Sequence, residues 1–212
     1  MQDFGAARRA MIDSQLRPEG VVDAAVVNAI ASVPRENFVP PAARALAYGD
    51  RPVPLGNGRA LAPPAVTGRL LSELEPRRGE RALVVGAGSG YSAAVLETLG
   101  LEVTALESDP ALAAMAKAAS PAMTVVEGDL AAGYPGAAPY DIILIDGAVE
   151  HIPPELTAQL VEGGRIGAVL SDRGIGRLAV GRNAGGRIGL RTIADADLAL
   201  LPGFERPKAF TF

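Results

Sequence analysis

The run from Arg81 to Asp109, RALVVGAGSGYSAAVLETLGLEVTALESD, constrains the fold more than any other part of the chain. Leu83, Val84 and Val85 make a short apolar strand that stops at Gly86-Ala87-Gly88-Ser89-Gly90. A helical pattern of Ala93, Ala94, Val95, Leu96 and Leu99 follows directly, until Gly100 ends it. A second strand, Val103 to Leu106, finishes on Glu107, about 20 residues beyond the glycine turn, where nucleotide-binding α/β folds place an acid against a ribose. Glycines let the backbone turn tightly and come close to a ligand, a helix N-terminus offers free N–H groups, and a carboxylate can accept both ribose hydroxyls.

The glycine spacing narrows the ligand. Gly86, Gly88 and Gly90 make GxGxG, and the third glycine of a GxGxxG turn would fall at Tyr91. The dinucleotide fingerprint carries that third glycine for close packing of the helix on the strand, and this chain lacks it at that place. An adenosine ligand without a pyrophosphate, such as S-adenosylmethionine, needs only the first close approach and the acid, so the spacing favours it.

The rest of the chain reads as helices, then a cap, then alternating strands and helices. Residues 4–17 predict a helix with Ala7, Ala10, Met11 and Leu16 near one face, closed by Pro18 and Gly20. Val21 to Val33 predicts a second, with Asp23 in its first turn and Val22, Val26, Val27 and Ile30 apolar. Residues 34–58 are rich in proline and glycine around a short helical stretch at 41–47, which predicts a cap or lid and not sheet. Pro63 to Leu74 predicts the helix leading into the central strand. After Glu107, Asp109-Pro110 opens a helix to Ala119, and Met123 to Val126 predicts a third strand. Residues 140–145 (YDIILI) predict a buried strand ending on Asp146, followed by a helix from Pro153 to Leu160 and a strand at 164–170. Arg177–Arg182 and Arg187–Ile193 flank Asn183-Ala184-Gly185-Gly186 as a hairpin, and Lys208–Phe212 can add a last strand. Strands alternating with helices predict an α/β fold with a mostly parallel, doubly wound sheet and antiparallel C-terminal strands. Two regions are expected: a helical extension and lid over 1–62, and a ligand-binding domain over 63–212.

Composition excludes several chemistries. At 212 residues and 49% hydrophobic, the chain can bury a full core. A net charge of −4 offers no general attraction to nucleic acid or anionic lipid. With no cysteine and one histidine, no disulfide, cysteine nucleophile or zinc site is expected. The opening MQDFGAARRAMIDSQLRP lacks the apolar core of a signal peptide and no later run is long enough to span a bilayer, so a cytoplasmic location is the expectation.

The chain resembles the protein-L-isoaspartate O-methyltransferase family over most of its length. The matching stretches are MIDSQLRPEGV, SVPRENFVP at 32–40, LAYGDRPVPLGNGRALAPP at 46–64, LVVGAGSGYSAAVLETLG at 83–100, ALESDPALAAMA at 105–116, VVEGD at 125–129 and EGGRIGAV at 162–169. The combination of RxxFVP, AY-D-PLG-G and GxGxGY is specific to that family, whereas GxGxG alone indicates only the broad class. The resemblance implies a Rossmann-like class I methyltransferase with a seven-stranded sheet and extra N-terminal helices. It also implies S-adenosylmethionine as donor, S-adenosylhomocysteine as product, and isoaspartyl residues of damaged proteins as acceptor. In this sequence Gly86, Gly88 and Gly90 would seat the donor, Glu107 its ribose and Asp129 its adenine, with Ala87, Ser108 and Leu130 among the donor-binding residues. Asp146, at the carboxyl edge of the sheet, completes the expected set.

Three departures touch the site. Where the family has a Thr-Ile-Ser-like segment, with the serine near the methyl donor and the isoaspartyl group, this chain has Ala60-Leu61-Ala62. Val84 stands where an acid normally helps hold the donor's amino group, and Asp146-Gly147-Ala148-Val149-Glu150-His151 replaces a threonine- or alanine-rich stretch. The family's serine position being Ala62, the remaining candidates for acid–base work are Asp146 and His151, for an acceptor other than a carboxylate. Three readings stay open: an isoaspartyl methyltransferase, a binding or regulatory protein that keeps the fold without turnover, and a methyltransferase for a different acceptor.

Overall fold

A computed structural model describes residues 3–206. Its centre is a seven-stranded sheet in the order β5-β4-β3-β6-β7-β8-β9. The strands are β3 (Arg81–Val85), β4 (Glu102–Glu107), β5 (Thr124–Glu127), β6 (Tyr140–Val149), β7 (Leu160–Asp172), β8 (Ile175–Ala184) and β9 (Arg187–Asp195). Strands β3 to β7 pair with one another in parallel, and β8 and β9 add antiparallel beyond β7. The mostly parallel sheet with antiparallel C-terminal strands is therefore as the sequence predicts. The Lys208–Phe212 strand lies outside the described residues.

Both faces of β3 are buried, which is why it reads as a continuous apolar run rather than as an alternation. Ala82 and Val84 point into one apolar cluster, and Leu83 and Val85 into the other. The first cluster joins α3 (Pro64–Leu74), α4 (Tyr91–Thr98) and α5 (Pro110–Ala119) to the N-terminal helices through Met11, Leu16, Val21, Val26 and Ile30. The second face is covered by Leu130, Tyr134, Leu156 and the segment 199–204, whose Leu201 and Phe204 are fully buried.

Several boundaries differ from the sequence reading, each for a local reason. The first helix is α1 (Phe4–Met11), continued by a π-helical turn over Ile12–Leu16, and it buries Met11, Ile12 and Leu16 while Ala10 faces solvent. The second is α2 (Ala24–Ser32), because Asp23 caps it by accepting from the Val26 amide at 2.9 Å. Val22 therefore precedes the helix and stays 76% exposed. The proline-rich stretch does contain sheet: β1 (Val53–Gly56) and β2 (Arg59–Leu61) form an antiparallel hairpin. Its two-residue turn is Asn57-Gly58, both left-handed with φ of 49° and 72°, the backbone of a type I′ turn.

The expected helix over 153–160 is a single turn, α6 (Pro154–Thr157). Gln159 leaves the helix to bond the Tyr134 amide and the Ala132 carbonyl, and its own carbonyl accepts from the Tyr140 amide. Leu160 then begins β7 against Tyr140. Strand β6 does not end at Asp146 but runs on to Val149 past an irregularity between Leu144 and Ala148. The extension is held by the 199–204 segment: Ala148 donates to the Ala199 carbonyl and Leu201 to that of Ala148.

Candidate functional site

The strand order reverses between β3 and β6, so the carboxyl tips of β3, β4 and β6 meet at a topological switch point, where open α/β sheets bind ligands. Three glycines shape the β3 corner: Gly86, Gly88 and Gly90 have φ of 71°, 56° and 90°, a region costly for any side chain. The β3 and β4 tips adjoin, since the Gly88 amide donates to Glu107 Oε2 at 2.6 Å.

Glu107 is fully buried and saturated. Its Oε1 accepts from Arg59 Nη1 at 2.7 Å and from the Ser108 and Asp109 amides at 2.8 and 3.0 Å. Its Oε2 accepts from Arg59 Nη2 at 3.0 Å as well as from Gly88. Arg59 Nη2 also donates to the Gly86 carbonyl at 2.8 Å, so one guanidinium bridges both tips. The remaining space before Gly86 holds Leu201, whose Cδ1 lies 2.8 Å from where a Gly86 Cβ would stand. A ribose diol requires free carboxylate acceptor positions, and here the protein occupies them. As arranged, Glu107 does not fit the ribose of an adenosyl donor.

Outside Arg59 an open cleft of about 550 Å³ is lined by Asn57, Arg59, Ser108, Asp109, Leu200 and Glu205, among others. Asn57 Nδ2 donates to Asp109 Oδ2 at 2.6 Å across it. Asp109 in turn caps α5 by accepting from the Ala111 amide.

The other expected residues separate into two groups. Ala87 and Leu130 are buried beside the corner and in the second core cluster, and Ser108 is exposed at the β4 tip. Asp129 is exposed and caps its own turn by accepting from the Ala131 amide at 3.0 Å. Asp146 lies within β6, partly buried, where desolvation pushes its carboxyl above the usual range while Arg59 and Arg35 pull it back. His151 is drawn away from this group: its Nδ1 lies 3.2 Å from the Phe204 carbonyl. Among the described residues no cluster of three or more His, Asp or Glu side chains is placed to hold a metal.

The raised Asp146 carboxyl has a sign that can be measured. The folded state binds its proton more tightly than the unfolded state, so this group's contribution falls as pH rises from the ordinary carboxylate value through the raised one. Asp146→Asn removes that loss, and we expect it to raise unfolding free energy at pH 7 with little change at pH 3. Urea titrations at the two pH values check this; an equal effect at both removes the titration as its cause.

Two residues central to this geometry are not singled out by the sequence reading, although both lie in its matched stretches. Arg59 is one. Arg35 is the other: it is wholly buried, donates from Nε to the Ala47 carbonyl at 2.6 Å and from Nη2 to the Ala62 carbonyl, and lies over the Tyr91 ring at 4.7 Å. It thereby anchors the 60–62 segment to the helix that follows the glycine corner. Its position inside the matched motif RxxFVP is the clue that could have singled it out.

Comparison with known proteins decides the family. The model of the protein-L-isoaspartate(D-aspartate) O-methyltransferase family matches residues 6–179. The chain belongs to this family. Among relatives, the protein-L-isoaspartate O-methyltransferase of Methylorubrum extorquens (strain PA1) is 45% identical over 168 residues, 77% of this chain and 74% of that one. That of Koribacter versatilis (strain Ellin345) is 35% identical over 205 residues, covering 94% and 92%. A Plasmodium falciparum chain attributed to the same family, crystallised in complex with S-adenosyl-L-homocysteine, shares the fold with a TM-score of 0.80 at 19% identity, over 95% of this chain and 99% of that one. Within the family frame, the chain's Ala60, Ala62 and Val84 are buried or nearly so, and no hydroxyl or acid replaces the missing groups at these positions.

Proposed function

We infer that this chain carries out its family's reaction, S-adenosylmethionine-dependent methylation of isoaspartyl carboxylates in proteins. The observation that carries the reading is the family match over 6–179 together with a glycine corner and a carboxylate in hydrogen-bond contact at the sheet's switch point. The donor supplies a methyl group on a sulfonium that already carries its leaving group, and an isoaspartyl carboxylate is already ionised, so the protein's task is positioning and no general base is required. This explains how a site without the serine hydroxyl keeps a reaction. In this reading 63–212 is the donor domain, 1–62 the extension and lid, and Gly86, Ala87, Gly88, Gly90, Glu107, Ser108, Asp129, Leu130 and Asp146 form the donor side. No helix among the described residues is long and apolar enough to cross a membrane. A cytoplasmic location suits repair of soluble proteins.

Transfer of radiolabelled methyl from S-adenosylmethionine to an isoaspartyl peptide tests the reaction. A base-labile methyl ester on the isoaspartyl peptide and none on the aspartyl isomer is expected. Ester on neither peptide, with S-adenosylhomocysteine still bound, overturns the acceptor. The saturation of Glu107 by the protein itself favours a second reading, a binding or regulatory protein that keeps the fold without turnover, which ester on neither peptide would support whether or not S-adenosylhomocysteine binds.

The lost hydroxyl gives a further expectation. Ala62→Ser restores one neutral hydrogen-bonding group beside the substrate segment, worth about 0.5–1.5 kcal/mol, so kcat/KM for the isoaspartyl peptide should rise roughly 2–10-fold. An unchanged value places the deficit at Val84 instead.

A further inference from the structure

We propose that Arg59 is a built-in occupant of the donor's ribose position, and that donor binding is coupled to withdrawal of the β1–β2 hairpin. The inference rests on the reading of Glu107 as the ribose acid.

The geometry supplies both the block and its release. Arg59 lies between Glu107 and the open cleft: Glu107 is 0% exposed and Arg59 8%. A ligand entering the cleft therefore meets the guanidinium before the carboxylate, and both carboxylate oxygens are already bonded to it. The hairpin that carries Arg59 is a two-stranded sheet separate from the main one. Its base is fixed by Val53 and Leu61, buried in the first core cluster, so the part able to open is the tip from Leu55 to Arg59, where a two-stranded sheet adds little stability of its own. Besides the Arg59 contacts, its tip is clasped by Asn57 to Asp109, and Leu55 Cδ1 lies 3.2 Å from a Cβ position on Gly88. Gly56, before the turn, and Gly58, within it, have open space on their side-chain directions, so nothing packs against the tip there. Release of the Asn57 clasp and of Arg59 frees one acceptor position on each Glu107 oxygen and the Gly86 carbonyl, while Leu201 in front of Gly86 must also give way to the donor.

Two consequences separate this from a site that is simply weak. A ligand that binds only the open form has its affinity reduced by the fraction open, so weakening the closed form tightens binding although no ligand contact is added. Its observed binding rate also levels off at the opening rate as ligand concentration rises.

Titration and stopped-flow mixing of S-adenosylhomocysteine with the whole chain, Arg59→Gln and Asn57→Gly test it. Asn57→Gly keeps the left-handed turn and leaves the buried ion pair intact, so it remains informative if Arg59→Gln fails to fold. We expect wild type to show a levelling rate, Asn57→Gly to bind several-fold tighter and Arg59→Gln at least tenfold tighter. Measurable binding by wild type with the same affinity in both variants overturns the occupant while leaving the donor site standing. Absence of binding by all three at millimolar ligand overturns the donor site and the occupant with it.

Discussion

Replacing Glu107 by glutamine is expected to lower unfolding free energy by about 3–5 kcal/mol, the usual consequence of leaving one member of a buried ion pair alone. For a chain of this length that is roughly 6–20 °C in melting midpoint. The wild-type carboxylate accepts from Arg59 twice and from the amides of Gly88, Ser108 and Asp109. Glutamine keeps one acceptor oxygen and turns an NH2 group toward donors. Arg59, 8% exposed, keeps its charge without a partner. Adding Arg59→Met to Glu107→Gln removes that orphan, so the double variant should lose less than the sum of the two single losses. Urea denaturation of the four proteins measures the coupling. A single-variant loss below about 1 kcal/mol, the level of an exposed pair, would mean that the pair is solvated and does not bridge the strand tips.

Arg35→Met carries the second large effect. Methionine fills most of the volume but leaves the buried carbonyls of Ala47 and Ala62 without their donors, at about 1–3 kcal/mol each. The contact over the Tyr91 ring is lost as well. Relief of the guanidinium's own burial, which holds its pKa below the usual arginine value despite Tyr91 and Asp146, offsets part of this. A net loss of about 3 kcal/mol is expected. On the proposed function, in which the 60–62 segment lies beside the acceptor, KM for an isoaspartyl peptide should rise together with the loss of stability. Arg35→Lys should recover only part of either, since one ammonium cannot reach both carbonyls in the plane that the guanidinium spans. Chemical denaturation with peptide kinetics checks both. A KM unchanged in Arg35→Met would show that the 60–62 segment keeps its place without the anchor.

What was legible in the sequence was local. The β3 strand, its glycine corner and the Glu107 tip follow from neighbouring residues, because hydrophobic runs, left-handed glycines and strand ends are decided within a few positions. Arg59 is 48 residues from Glu107, and no periodicity connects a cation in one turn to a carboxylate at the end of a distant strand. The β1–β2 hairpin had its signal in Asn57-Gly58, a pair suited to a two-residue turn, but Pro52 and Pro54 beside it read as punctuation. The short α6 failed for a different reason: Gln159 is a good helix residue by composition and is used instead to tie three backbone groups across the chain. Leu201 was invisible because its place against Gly86 and Gly147 depends on the tail folding back along β6.

The most direct measurement is a crystal structure of this chain grown with S-adenosyl-L-homocysteine. Ribose hydroxyls are expected within hydrogen-bond distance of both Glu107 oxygens, with the Arg59 guanidinium withdrawn from them. A nucleoside bound elsewhere on the chain, or bound with the Arg59–Glu107 pair still closed, would contradict this.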